Sequence, residues 1–293
     1  MQSEMMRRAK PGISSARLRK LIGRAVIYAL VSGVALVMVF PVYWLIVTSF
    51  KTGPEVSAFP PVFLPSSITL ENYVRVFARQ GIGLNLFNSI VVAVSSVCIL
   101  IVIGSMAAYS LSKSLISKRI RNGLLIWILV TRIFPPVTTV IPFFMIIRTL
   151  GLMDTRVSLI LTYVHYGLPF AIWLLLGFFQ ELPKEIEEAA VVEGYSFWQR
   201  YLWVALPLTL PGIAVTAIFT FIHCWNEFMY ATTLTSLDAR TLPVVISTFI
   251  SDQYLDWGSM SAMGTLMIFP VILFALFSQK YLVRGLTFGA VKG

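Results

Sequence analysis

Five stretches of this chain, 25–50, 80–112, 157–180, 201–226 and 257–279, run without a single Asp, Glu, Lys or Arg. Each exceeds the roughly 20 residues that an α-helix needs to cross the hydrocarbon core of a bilayer. A sixth, 122–147, is interrupted only by Arg132. With 57% hydrophobic and 12% charged residues over 293 positions, a water-soluble domain would lack the polar surface to cover itself. In lipid a backbone must satisfy its own hydrogen bonds, which helices do within one segment and open strands do not. The expectation is an all-α integral membrane protein with six transmembrane helices.

Basic residues set the orientation. Arg7, Arg8, Lys10, Arg17, Arg19, Lys20 and Arg24 precede the first span, Lys113, Lys118, Arg119 and Arg121 follow the second, and Lys280, Arg284 and Lys292 close the chain. The 148–156 turn has only Arg148 and Arg156. The excess of Lys and Arg on one side, with an even number of spans, places both termini in the cytoplasm. Topology thus accounts for the net charge of +10. No basic patch interleaved with exposed aromatics lies outside the spans, so nucleic acid is not an expected partner. The first apolar run is longer than a signal-peptide core of about 7–15 residues and has no clear small-x-small exit, which favours a span. Cys98 and Cys224 fall in or near spans without a CxxC or a neighbouring ligand and are expected to be packing residues.

One membrane domain, 25–280, then lies between a basic cytoplasmic tail, 1–24, and a cytoplasmic tail, 281–293. The outer segment 51–80 is broken by Pro60, Pro61 and Pro65, with a short surface helix expected near Asn72. Arg132 precedes Pro135, Pro136 and Pro142, so that span should be kinked or locally opened. Its guanidinium must face protein or water, because a charge at the lipid centre costs several kcal/mol. A cavity or subunit-seam position and a buried structural role both stay open for it. Pro169, Pro211 and Pro270, near Gly167, Gly212 and Gly264, indicate bent and closely packed helices.

The segment 181–207 is the informative polar run. Pro183 suits a first helical turn, and Glu185, Glu187 and Glu188 favour the helix N-terminus by charge–dipole attraction. Ile186, Ala189, Ala190 and Glu193 recur at helical spacing, giving a narrow face of small and apolar side chains. Gly194 permits a sharp exit into a second short helix that runs to Pro207. Two readings compete: a rigid cytoplasmic element that another protein grips, and an amphipathic connector at the lipid surface. The aromatics Phe197, Trp198, Tyr201 and Trp203 suit the second. Five Glu against Lys184 before the turn oppose it near an anionic leaflet.

The order Glu-Ala-Ala, three residues, Gly, nine residues, aliphatic-x-Leu-Pro is met by Glu188, Ala189, Ala190, Gly194, Val204, Leu206 and Pro207. This resembles the cytoplasmic loop of membrane-spanning subunits of ATP-binding-cassette importers, with Val204 where isoleucine is more usual. The blocks 131–136, 151–155, 225–228 and 280–287 are similar to the carbohydrate branch, specifically its maltose-transporter-like second permease subunit. The resemblance covers nearly the whole chain and implies an ABC importer permease fold. It implies that the loop residues couple to ATPase subunits, and it implies as partners a second homologous permease, two ABC ATPase subunits and an extracytoplasmic solute-binding protein. It places the chain in a bacterial or archaeal cytoplasmic (inner) membrane. No GxxxxGK[ST] run is present to cradle phosphates, so the chain is expected to bind no cofactor, with ATP and Mg²⁺ used by the partner ATPases.

Candidate pathway residues are Trp225, Asn226 and Glu227, with Tyr163 and Tyr166 in the fourth span. An Asn amide donates to and accepts from sugar hydroxyls, an indole stacks on a pyranose face and a carboxylate anchors a hydroxyl pair. That chemistry suits a carbohydrate or polyol. The alternative is that these groups pin helix ends or a subunit seam. Tyr163, His165 and Tyr166 cannot all face one way at 100° per residue. The competing function is an ion- or proton-coupled secondary transporter, in which Arg132 and Glu227 carry coupling charge. No serine-lysine, paired-aspartate or His-Glu-x-x-His arrangement points to an enzyme.

Overall fold

The computed structural model describes residues 15–78, 81–113, 117–249 and 255–288, with side chains from 21 to 276. The first part of the basic tail, 1–14, and the last part of the closing tail, 289–293, lie outside the described residues, as do the side chains of the 280–287 block.

The described residues form helices joined by turns: α1 Ser15–Ser49, α2 Glu71–Ala78, α3 Ile82–Ser112, α4 Lys118–Thr131, α5 Pro136–Thr149, α6 Arg156–Gln180, α7 Lys184–Val192, α8 Phe197–Leu208, α9 Leu210–Trp225, α10 Met229–Leu234, α11 Leu242–Ser247 and α12 Trp257–Phe288. Four are single helices long and apolar enough to cross a membrane, in α1, α3, α6 and α12. Two further helix pairs reach that length and hydropathy only together and are bent at a break, α4 with α5 by 92° and α8 with α9 by 76°. Counting each bent pair as one span gives six.

Proline explains both breaks. Between α4 and α5, Pro135 is extended (φ −67°, ψ 147°) and Pro136 opens the new helix, since a proline lacks the N–H that would continue the preceding turn. Between α8 and α9 the chain turns at Thr209 (φ −93°, ψ 6°), flanked by Pro207 and Pro211. The uncharged run 201–226 is therefore two helices bent at Thr209 rather than one continuous helix. Pro41, Pro169 and Pro270, by contrast, stay inside continuous helices.

Helix α3 packs most extensively on α6, and α9 leans on both. Small residues allow the approach: a methyl added at Gly167 would sit 2.8 Å from Leu100, and one at Gly212 would sit 2.3 Å from the Phe178 ring. One buried cluster around Leu100, Leu159, Ala171, Trp225 and Met263 forms the centre. A second, with Tyr109, Leu175, Phe179, Tyr201 and Ala205, lies beneath α7 and α8.

Helix α1 stands apart. None of its most apolar stretch is buried in this chain, and it meets α12 where Leu45 faces Gly264. Its end is fastened by Asn72 on α2, whose Nδ2 donates to the carbonyls of Ser49 and Lys51, both at 2.9 Å.

Candidate coupling loop and translocation pathway

Helix α7 begins after Pro183 with Glu185 and Glu187 in its first turn, where carboxylates oppose the positive end of the helix dipole. It ends at Gly194, whose φ of +83° is the left-handed conformation that costs a Cβ-bearing residue about 1–2 kcal/mol. There Gly194 N–H donates to Val191 O and Tyr195 N–H to Ala190 O, both at 3.0 Å. This pair of reversed bonds satisfies the last carbonyls and fixes the exit direction. Ser196 then caps α8, its Oγ accepting from Gln199 N–H while Gln199 Oε1 accepts from Ser196 N–H. A π-helical turn at Arg200–Ala205 follows, and it directs Tyr201 and Ala205 into the second buried cluster.

The loop is seated on the end of α3. Lys113 Nζ lies 2.6 Å from Glu187 Oε1 and 5.1 Å from the Tyr109 ring centre. Tyr109 packs on Phe197 and Tyr201 with ring centres 5.1 and 5.3 Å apart, and Ser105 Oγ is 2.7 Å from Tyr201 Oη. Among the motif residues, Glu188, Ala189, Gly194 and Pro207 are exposed, Val204 and Leu206 are half-buried, and Ala190 is buried. Lys113, Tyr109, Glu187 and Tyr201 escaped the sequence reading as a seat, because they come from three separated segments.

The pathway candidates divide. Trp225 is 2% exposed. Its indole Nε1–H donates to Met267 O at 3.0 Å, and its ring stacks on Phe221. Tyr163 is likewise buried at 2%. Asn226 and Glu227, with His223, Pro135 and Pro136, line a cavity of about 580 Å³ at the α4–α5 bend. Tyr166 stacks on His223 at 5.1 Å and lines a second cavity of about 250 Å³ with Thr131, Thr139, His165 and Tyr230. Glu227 accepts from Tyr230 N–H at 2.8 Å and Ala231 N–H at 3.1 Å, so it caps α10. Asn226 Nδ2 donates to Ile222 O at 2.8 Å and closes the end of α9. Arg132 Nη1 donates to Tyr166 O at 3.3 Å. Its guanidinium lies 5.1 Å from the Tyr166 ring centre and 5.3 Å from that of Phe170.

At the opposite end from the loop, Asp154 holds the segment after α10. Its carboxylate accepts from the N–H groups of Ser236, Leu237, Asp238 and Ala239 and from Ser236 Oγ–H, at 2.7 to 3.1 Å. Asn88 joins it, donating to the carbonyls of Asp238 and Arg240 and accepting from Arg156 Nε–H at 2.7 Å.

Residues 100–288 match the family model described as binding-protein-dependent transport system inner membrane component. The chain belongs to that family. This permease is 37% identical over 263 residues to the trehalose/maltose transport system permease protein MalG of Thermococcus litoralis, covering 88% of this chain and 93% of the relative. It is 37% identical over 273 residues to the trehalose transport system permease protein SugB of Mycobacterium tuberculosis, covering 92% and 97%. Among solved structures, the permease superposes with a TM-score of 0.75 and 26% identity on a chain of a bacterial ABC transporter involved in the import of the acidic polysaccharide alginate, covering 93% of this chain and 99% of that one.

Proposed function

We propose that this permease subunit forms half of the membrane pathway of an ATP-driven, binding-protein-dependent carbohydrate importer in a bacterial or archaeal cytoplasmic membrane. The observation that carries the proposal is the solvent-exposed helix α7, fixed at its exit by Gly194 and held to α3 by Lys113 and Glu187. Glu188, Ala189 and Gly194 present the surface that enters an ATPase cleft. Ala190, Val204 and Leu206 pack behind that surface, and Pro207 lies beside the bend into α9. Closure of the ATPase pair over ATP and Mg²⁺ pushes α7, and the seat on α3 and α8 passes the movement to the bend at Thr209. Hydrolysis belongs to the two ATPase subunits, because this chain lacks a phosphate-cradling motif.

The bare face of α1 supports a second permease, since lipid-exposed helices without their own neighbours are natural interface elements. An extracytoplasmic binding protein would deliver solute to the outer face, which the Asp154 clasp holds in shape. Tyr166, Asn226 and Glu227 line the cavities beside the two bends, and Tyr163 and Trp225 stiffen the wall behind them. The alternative of an ion- or proton-coupled carrier drew on Arg132 and Glu227. Both have structural employment: Glu227 caps α10 and Arg132 binds a backbone carbonyl.

The test is mass spectrometry of the complex that co-purifies with this chain in mild detergent. An ABC ATPase together with a second multi-span protein is the expected result. A Glu188→Lys variant should retain the second permease and lose most of the ATPase, through charge reversal on the exposed face of α7. A stable preparation that carries no ATPase and moves solute on an ion gradient would overturn the reading.

A further inference from the structure

Beside the coupling helix, a cavity of about 490 Å³ opens between the facing ends of α3, α4, α6 and α7. Six charged side chains line it: Lys113, Arg121, Lys184, Glu187, Glu188 and Arg200. Lys113 and Glu187 neutralise each other at 2.6 Å. Arg121, Lys184 and Arg200 then face Glu188 alone, three cations against one carboxylate. The Nε atoms of Arg121 and Arg200 are shielded from solvent and have no hydrogen-bond partner among the described residues. A guanidinium donor in that state is costly, and a phosphate, with several oxygens in fork geometry, satisfies it well.

The depth of the cavity selects the source of such a group. Helix α3 stops at Ser112 and α4 starts at Lys118, so the basic residues flank the ends of spans. On α8, which contributes Arg200 to the lining, the indoles of Trp198 and Trp203 are exposed, and tryptophan favours the headgroup region. A cytoplasmic leaflet is rich in anionic lipid, and basic pockets between helix ends are suited to its headgroups.

We propose that this cavity receives the phosphate of an anionic membrane phospholipid, bridging Arg121 at the α3–α4 corner to Arg200 beyond the coupling helix. The lipid would complete the seat of α7 and make the loop's stiffness depend on membrane composition. The inference rests on the proposed function, in which α7 meets an ATPase and therefore lies on the cytoplasmic side.

The test is native mass spectrometry of the whole transporter, purified through this chain and reconstituted in discs of mixed phosphatidylglycerol and phosphatidylcholine. Wild type should retain phosphatidylglycerol over phosphatidylcholine. Arg121→Gln with Arg200→Gln should lower that retention by about tenfold or more, and Arg121→Lys with Arg200→Lys should restore only part of it, because an ammonium keeps the charge and lacks the fork. Arg148→Gln, at the opposite ends of the spans, should change nothing. Equal retention of both lipids, or equal retention by the Gln double variant and wild type, overturns the proposal. Protection by inorganic phosphate in discs of phosphatidylcholine alone, with no preference for phosphatidylglycerol in mixed discs, overturns the lipid as source. ATPase subunits in the same spectra report separately on the transporter reading, so loss of one conclusion is distinguishable from loss of the other.

Discussion

Lys113 and Glu187 meet at 2.6 Å across 74 positions of sequence, joining the end of α3 to the first turn of α7. The pair is largely shielded, with side chains 19% and 13% exposed, and Tyr109 flanks the ammonium. An ion pair there positions the loop as well as stabilising it, because it fixes one rotation of α7 about its axis.

Removing one member leaves a shielded charge unopposed, so Glu187→Gln should destabilise the folded subunit by about 1–3 kcal/mol, between exposed and fully buried pairs. It should also lower coupled ATPase activity more than it lowers assembly. Exchange of the two residues, Lys113→Glu with Glu187→Lys, should recover a large part of both. A double-mutant cycle on thermal unfolding of the complex measures the coupling, and a coupling energy of zero would show the pair to be incidental.

Gly194 occupies a backbone conformation closed to proline and strained for any other side chain. Gly194→Pro should abolish transport while leaving membrane insertion normal, because the defect is confined to the exit of α7. Gly194→Ala should cost about 1–2 kcal/mol and reduce transport partially. Uptake at wild-type rate by well-expressed Gly194→Pro would show that the turn transmits no force.

The apolar runs and the Gly194 exit were legible in the sequence because both are local: length and charge decide a span, and a backbone turn decides a glycine. The break at Thr209 was not legible as a break. Pro207 and Pro211 open the chain there, whereas Pro169 and Pro270 are absorbed into continuous helices, and that difference is set by packing around each site. The direction that Trp225 faces was equally hidden. In a helix apolar on all sides no periodicity distinguishes core from lipid, and the indole turns inward to Met267. For Glu227 the sequence left a pathway group, a coupling charge and a helix-end pin open, and the break at Phe228, which gives it the N-terminus of α10 to cap, supports the last.

At Gly212 a methyl group would lie 2.3 Å from the Phe178 ring. Gly212→Ala should therefore force α9 away from α6 beside the loop and destabilise by about 1–3 kcal/mol, the usual cost of overpacking. Phe178→Leu in the same chain should relieve most of the loss. Thermal unfolding of the assembled complex reads both, and an unchanged single variant would mean that the ring gives way freely.

Asp154 carries the clasp at the end of the bundle away from α7, and its titration gives a pH dependence with a definite sign. Burial alone would raise its pKa, but the bonds from Ser236, Leu237 and Ala239 outweigh burial and hold it well below the ordinary carboxylate range. A carboxyl depressed in the folded state contributes stability that is complete above its unfolded value, about 3.9, and is lost as pH falls through the lower folded value. Between pH 5 and 8 this group should thus add no slope to the stability of the complex. Asp154→Asn removes the charge and puts an amide donor against N–H groups, so it should lower stability by about 2 kcal/mol throughout that window, as expected for charged hydrogen bonds. Hydrogen exchange at 236–239 should rise with it, whereas exchange in α7 should not. Wild-type protection of that segment in the variant would show that Asn88 and Arg156 hold the clasp without the carboxylate.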